Sequence, residues 1–410
     1  MTEAGRLSDR SHVPGFDPDE AGRIATAVAR LVPPALAPAL DAGFTHSHAL
    51  YDEFIYRLTI RVLEETGLAP VGGEWGSAED IVTRAGLDAR RARAPVSWML
   101  AHLAGRGWLA REGGGGAPRF RAERALPDLD PAAVLAEQQR HDPACLPSYV
   151  LAETAARDYP AFLRGGPSGE EILFAPRRLA LWTGYFSNDN NLYAINNRVG
   201  AVALDAWMPG GGSTVLELGG GLGSGAAAAI ERLAASGRLD EVRHYRFTEL
   251  VQAFLRRGER FLTERYSDAP LSFAPLDMNR PFEGQGVAPA SVSIVYAVNT
   301  LHVAHDLAVT LGEVRRALEP GGQIIISECI RPWPGQTLYP EFVFNLLETF
   351  RSPRLHPAYR PNGGFLTPEQ WSAAFYATGF VDVRVLPDIA RVRDVHSTFY
   401  VAAVGATRPA

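Results

Sequence analysis

Apolar positions recur at helical spacing through the first half of the chain and gather into short runs through the second. Over residues 51–65, Phe54, Ile55, Leu58, Ile60, Val62 and Leu63 fall near a 3.6-residue period and stop at Gly67, which predicts a buried helix. Ser77 heads a Ser-Ala-Glu-Asp stretch, an N-cap with acids in the first turn, so a helix is expected through Ala85. Residues 92–105 place Val96, Met99, Leu100 and Leu103 on one face. Trp108 and Leu109, a glycine turn at 113–116 and Phe120 then read as a two-stranded ribbon. Helices followed by a ribbon make a winged-helix pattern over 41–125. Residues 1–40 begin polar and turn rich in Ala and Pro, a leader closing in a short helix.

Residues 126–205 keep helical spacing and are dense in aromatics, among them Tyr149, Tyr159, Phe162, Trp182, Tyr185, Phe186 and Tyr193. The segment is too apolar for a linker and is expected to act as a lid. Asn188, Asn190, Asn191, Asn196 and Asn197 either offer polar groups to an apolar pocket or cap turns. From about 206 the period changes. Short apolar runs at 214–218, 245–250, 271–276, 292–298 and 323–327 alternate with helical stretches, and 396–404 is expected to end the sheet. Crossovers of that length are right-handed and build a parallel sheet, so 206–410 is expected to be an α/β domain that binds ligands at the carboxyl ends of its strands.

Composition narrows this picture. With 410 residues, 46% hydrophobic and 21% charged, the chain has the make-up of a folded protein of two domains. A net charge of -6 argues against a general grip on nucleic acid, even though Arg84, Arg90, Arg91 and Arg93 lie in the winged-helix pattern, which serves equally as a dimerising or substrate-covering module. Cys145 and Cys329 form neither a disulfide framework nor a zinc cluster, and no metal is expected. The N-terminus does not read as a secretory signal, and the apolar run near 31–40 is broken by prolines, so no membrane segment and a cytoplasmic location are expected.

The sharpest chemical signal is at the first strand of the α/β half. Glu217-Leu218-Gly219-Gly220-Gly221-Leu222-Gly223 runs from a buried strand through a glycine loop into an alanine-rich helix, so backbone and ligand can approach closely at the sheet edge. Such a loop can cradle a pyrophosphate, but Glu217 would repel a phosphate and suits the ammonium of an amino-acid moiety. Glu249, at the next strand tip, can accept both hydroxyls of a ribose; Asp277 can accept from an adenine amino group with Met278 on the ring face. Each acid could instead cap a helix.

Taken as a set, Glu217 to Gly223, Glu249, Asp277-Met278 and Leu318-Glu319-Pro320-Gly321-Gly322 resemble class I S-adenosylmethionine-dependent methyltransferases over roughly residues 206–405. Val298-Asn299-Thr300-Leu301-His302, His305-Asp306 and Ile326-Ser327-Glu328 are similar, more narrowly, to the C-methyltransferase domains of polyketide synthases, as is 163–197 with Tyr185, Asn188, Tyr193 and Asn197. The resemblance implies a Rossmann-like domain with a mostly parallel seven-stranded sheet, behind an α-helical winged-helix-like and lid region. It implies S-adenosylmethionine as cofactor, held by Glu217, Gly219, Gly221, Gly223, Glu249, Leu250, Asp277, Met278 and Asn299. It implies a dyad of His302 and Glu328 that removes a proton from a carbon next to a carbonyl, the imidazole as base and the carboxylate orienting it. Tyr185, Tyr193, Asn197 and Phe342 are expected to line the acceptor pocket, and His305 to cap rather than bind metal.

The chain shows no ketosynthase, acyltransferase or carrier segment, so a free small molecule and an acceptor presented on a carrier protein in trans both stay open. O-methylation of a hydroxyl or carboxyl group with His302 as base is the alternative within the same cofactor class. A DNA-binding regulator with a cofactor-sensing domain is the alternative outside it. The apolar N-terminal helices are expected to form a homodimer.

Overall fold

The computed structural model describes residues 18–68, 73–113 and 118–410. The polar start of the leader, residues 1–17, and residues 114–116 of the expected glycine turn lie outside the described residues. The leader ends in helix α1 (Pro18–Ala29) and a single 3-10 turn (Ala37–Ala39). The chain divides into two compact units: one comprises 42–185 and 335–351 with the chain up to Arg23, the other 24–41, 186–334 and 352–410.

In the first unit, α2 (Ala42–Glu65) buries Leu50, Phe54, Ile55, Leu58 and Val62, the face that its periodicity predicts. A two-residue strand β1 (Gly76–Ser77) leads into α3 (Ala78–Arg84) and α4 (Ala89–Gly105), followed by β2 (Leu109–Glu112) and β3 (Arg119–Ala122). The three strands form an antiparallel sheet in the order β1-β3-β2. Ser77 caps α3 as expected: its hydroxyl accepts from Asp80 N at 3.1 Å, and the Asp80 carboxylate accepts from Ser77 N at 2.8 Å, which satisfies two end-of-helix donors reciprocally. Beyond α5 (Pro131–His141), α6 (Leu146–Leu163) buries Tyr149, Tyr159 and Phe162. Two short helices, α7 (Gly169–Leu173) and α8 (Leu179–Tyr185), complete the stretch. Segment 335–351 joins this core: the Trp98 indole donates to Glu341 Oε2 at 2.8 Å, and the Tyr159 hydroxyl donates to Phe342 O.

The second unit is built on a seven-stranded sheet in the order β6-β5-β4-β7-β8-β10-β9. Strands β4 (Ser213–Leu218), β5 (Val242–Thr248), β6 (Leu271–Ala274), β7 (Val292–Val298) and β8 (Leu318–Cys329) are parallel. β10 (Val401–Thr407) runs antiparallel between β8 and β9 (Val381–Leu386). Helices α9 (Asn191–Trp207), α10 (Ser224–Ala235), α11 (Gln252–Arg265) and α12 (Leu307–Ala317) cover or link the strands. β7 is buried at every position, as an interior strand of a parallel sheet covered on both faces must be. Asp205 of α9 accepts from Arg232 Nε at 2.7 Å and from the Ser236 hydroxyl at 2.9 Å, which fixes α9 on α10.

Chain order runs outward from β4 to β6 on one side and from β7 onward on the other. The reversal falls between β4 and β7, and ligands of doubly wound sheets enter at the carboxyl end of such a switch point. The third strand is shorter than the expected 271–276 run. The last strand lies later than 396–404, because 396–400 form turns before Val401 pairs with Cys329.

The glycine loop after β4 is shaped partly by packing. A Cβ at Gly220 would lie 2.1 Å from the Phe247 ring, which is fully buried, whereas a Cβ at Gly221 would meet nothing within 4 Å, although φ there is +59°. Gly220→Ala is expected to destabilise the protein by about 1–3 kcal/mol through overpacking, and Gly221→Ala by about 1 kcal/mol through left-handed strain alone. Urea denaturation of both variants measures the difference.

Candidate active site

The site begins where β4 ends. Gly219 and Gly221 adopt φ of +62° and +59°, which an L side chain resists, and Gly223 enters α10 at +92°. A Cβ at Gly219 would strike the Thr300 side chain at 2.4 Å, so this glycine lets the loop close onto the end of β7; the Thr300 hydroxyl donates to Gly219 O at 3.1 Å. At Gly223 a Cβ would press on Leu262 and Phe261 of α11. Gly221 alone among the three faces open space, with its amide turned toward Glu249.

Three carboxylates stand at this edge, and each is satisfied differently. Glu217, on β4, is buried, and its Oε2 has no hydrogen-bond partner; the Tyr245 hydroxyl lies beside the carboxyl and favours its charged form, and the unpartnered Tyr296 hydroxyl is an electrostatic neighbour. Burial pushes the Glu217 carboxyl up from 4.5 to about 8, so at neutral pH it keeps its proton until a cation arrives. Glu249, just past β5, accepts from Gly221 N at 2.9 Å and from Val251 N at 2.7 Å. Burial raises its carboxyl while these amides pull it down, the raise prevailing. A carboxylate offers about four acceptor sites, so Glu249 keeps acceptor capacity beyond the backbone amides that hold it. Leu250 beside it is 55% exposed, an apolar side chain offered to whatever stacks at this edge.

Asp277 sits after β6 in a turn of its own making. Its Oδ1 accepts from Asn279 N at 2.9 Å, its Oδ2 lies 3.4 Å from Arg280 Nε, and Gln285 holds its amide. Met278 is half-buried, with its carbonyl accepting from the Thr310 hydroxyl at 3.0 Å. Asn299, directly after β7, has φ of +51° and donates its amide to Ser327 O at 2.6 Å, and its buried Oδ1 has no partner. An orphaned carboxylate oxygen, an orphaned amide oxygen, a paired carboxylate with spare acceptors and a glycine amide edge suit a polar ligand with a cationic end and vicinal hydroxyls. The nucleoside and amino-acid parts of S-adenosylmethionine fit that donor and acceptor set.

His302 and Glu328 meet, although 26 residues separate them: imidazole Nδ1 and carboxylate Oε2 are 2.7 Å apart, in a place where both residues are buried. Glu328 lies on β8 itself rather than after it, paired opposite Ala402. Its other oxygen accepts from Thr300 N at 3.0 Å and from Leu301 N at 2.7 Å, the start of the 3-10 turn Leu301–Val303 that carries His302. One carboxylate oxygen is fixed by two amides, and the other is aimed at imidazole Nδ1. The Phe365 ring lies 4.7 Å from the imidazole.

Around α9, Asn197 Nδ2 donates to Asn188 Oδ1 at 2.8 Å, and Asn188 Nδ2 donates to Ser224 O at 2.9 Å. The two asparagines thereby tie α9 to the start of α10 beside the glycine loop. Tyr193 joins this group through the Ser224 hydroxyl at 3.4 Å and is an electrostatic neighbour of Glu217. Tyr185 and Phe342 belong to the first unit; there Tyr185 packs edge-on against Trp182, and Phe342 is fully buried against Trp98 and Tyr159. His305 is exposed, and among the described residues no group of three or more His, Cys, Asp or Glu could hold a metal. Sequence reasoning missed Thr300, which joins the glycine loop to the dyad, and Arg360, whose guanidinium reaches the His302 carbonyl. Thr300 stood in plain view beside His302; Arg360 sits in a loop without periodic pattern.

Residues 218–326 match the family model described as a methyltransferase domain. Among curated proteins, the polyketide synthase PksM of Bacillus subtilis (strain 168) is 27% identical over 243 residues, 57% of this chain and 5% of that protein. The chain spans less than a tenth of the length of the first polyketide synthases it matches. Among solved structures, the CurJ carbon methyltransferase superposes with a TM-score of 0.73 at 21% identity, covering 97% of this chain and 100% of that one. The DszA carbon methyltransferase does so with a TM-score of 0.69 at 25% identity, covering 97% and 98%. No helix among the described residues is long and apolar enough to cross a membrane. With a methyltransferase domain at its centre and the fold of the carbon methyltransferases around it, the chain is an S-adenosylmethionine-dependent methyltransferase.

Proposed function

We propose that the chain methylates a carbon alpha to a carbonyl in a polyketide-like or keto-acid-like acceptor, with His302 as general base and Glu328 as its orienting partner. The observation that carries this reading is the buried 2.7 Å contact between His302 Nδ1 and Glu328 Oε2, at the carboxyl ends of adjacent strands and joined through Thr300 to the glycine loop. Likeness to carbon methyltransferases, DszA at 25% identity among them, supports the choice of carbon over oxygen. The acceptor reaches the site either free or presented on a carrier protein, as befits a chain whose relatives are polyketide synthases.

In this reading Glu217 holds the ammonium of S-adenosylmethionine, Glu249 its ribose hydroxyls, Gly219, Gly221 and Gly223 shape the loop against it, and Asn299 faces it with its unpartnered oxygen. Leu250 and Met278 flank the base, and Asp277 accepts from the adenine amino group with the lone pairs its turn leaves over. When bound, the cofactor supplies an electrophilic methyl group. The chain contributes the proton acceptor: Nδ1–H donates to Glu328 Oε2, so Nε2 carries the lone pair that takes the proton from the acceptor carbon, and the carboxylate stabilises the imidazolium that results. Burial of both partners excludes water, which would otherwise compete for that proton.

His302→Ala is expected to lower turnover by about 100-fold or more, the scale of a lost general base, while calorimetry finds affinity for S-adenosylhomocysteine nearly unchanged. Carbon-13 spectra of the product made with labelled methyl donor locate the methyl group; a methoxy signal would refute carbon methylation. Glu249→Ala is expected to weaken cofactor binding by roughly 10- to 100-fold, the worth of charged hydrogen bonds.

Glu217 makes a separate prediction. Because the folded apoprotein holds its proton to about pH 8 and the unfolded chain loses it near 4.5, this residue makes stability fall as pH rises between those values. Binding of an ammonium there must release that proton. Titration calorimetry near neutral pH in buffers of different ionisation enthalpy should register about one proton released on cofactor binding, and none in Glu217→Gln.

A further inference from the structure

Arg360 is fully buried and, among the described residues, has no carboxylate within ion-pair distance. Its guanidinium donates instead to two main-chain carbonyls, Ala304 O at 2.7 Å and His302 O, and its Nε has no partner. A buried guanidinium is expensive to desolvate, so a site that keeps one needs its charge or its fork of donors. Burial pulls Arg360 down to about 10, so it still carries its charge at neutral pH.

Both uses are visible in the geometry. The 3-10 turn Leu301–Val303 is gripped at its start by the Glu328 carboxylate, through Thr300 N and Leu301 N, and at its end by the Arg360 guanidinium, through His302 O and Ala304 O. An anion at the amide end and a cation at the carbonyl end both complement the polarity of the turn. The loop that carries Arg360 is itself laced to the same region. Arg354 N donates to His305 O at 2.6 Å, the Arg354 side chain pairs with Asp306 at 2.8 Å, and Arg331 Nε donates to Phe365 O at 2.7 Å. The charged and titratable groups that face this cluster are Glu328 from β8, Asp306 and Arg354 from the flanking turns, and Tyr359 beside Arg360.

We propose that Arg360 is a positioning residue for the methyl-transfer reaction, holding the His302 turn in register with Glu328 and offsetting the carboxylate's charge so that the imidazole stays available to accept a proton. The inference rests on the reading of His302 as the base. The guanidinium at the His302 carbonyl sets a positive charge across the turn from the Glu328 carboxylate, so its removal changes the field at the imidazole.

The experiment compares Arg360→Met, Arg360→Lys and His302→Ala as full-length proteins, with S-adenosylhomocysteine affinity by calorimetry and kcat, acceptor KM and the pH profile of kcat/KM by radiolabelled methyl transfer. For Arg360→Met the expected result is cofactor affinity within about 2-fold of wild type, a kcat loss of at least about 10-fold with KM little changed, and an acid limb moved to higher pH. Arg360→Lys restores the position of the limb but only part of kcat, because an ammonium keeps the charge and loses the planar fork. A normal kcat and an unmoved limb in Arg360→Met overturn the proposal. If that variant does not fold, a wild-type kcat in Arg360→Lys overturns it. Loss of turnover in His302→Ala alongside a normal Arg360→Met removes only the role of Arg360, whereas normal turnover in His302→Ala removes the base assignment itself.

Discussion

One carboxylate organises the edge of the sheet where the glycine loop and His302 meet. Glu328 sits on an interior strand with no exposure to solvent, and its two oxygens accept from two amides of a neighbouring turn and face the imidazole carried by that turn. A buried anion with fewer partners would take up a proton or pull the fold apart, so the turn at Leu301–Val303 forms where the amides can reach it. The turn in turn fixes Thr300, whose hydroxyl reaches Gly219, and the glycine loop thereby inherits its position from the same anion. Glycine loop, Thr300, Glu328 and His302 are parts of one hydrogen-bonded assembly.

The contrast with the other two acids shows how environment divides similar side chains between tasks. Glu249 is held by amides from two directions and is ready to accept more. Glu217, only four residues upstream of the Gly221 amide that binds Glu249, has an oxygen with no hydrogen-bond partner, and burial raises its carboxyl to about 8.

Much of this was legible in the sequence, and the exceptions have physical causes. The interior strands were visible because both faces are buried and their residues run apolar without break, as in β7. The edge strand β9 alternates Val, Asp, Val, Arg and Val, a period-2 pattern that a search for continuous apolar runs passes over. The helical half was legible from spacing and from the Ser77 cap. Its sharing of a core with 335–351 was not, since an aromatic run looks the same whichever core it enters. Glu217, Glu249 and the glycine loop announced themselves by position at strand tips. His302 and Glu328 were named through a resemblance, because nothing local in either segment says that they meet. Arg360 was out of reach: its partner carbonyl lies 58 residues away, and a main-chain acceptor leaves no trace in side-chain identity.

The placement of β10 carries a consequence of its own. Because that antiparallel strand fills the flank of β8, the strand bearing Glu328 is zipped along both margins, with Ser327 aligned to Ala403 on one and to Val298 on the other. Successive side chains on a strand point to opposite sides, so sliding β8 by a single step would swing the acid through the sheet and bring Ser327 or Cys329 to its station. The contact between His302 and Glu328 is thus encoded less by a pair of residue types than by the alignment of three strands, and β10, itself paired with β9, acts as the ratchet that keeps that alignment from slipping.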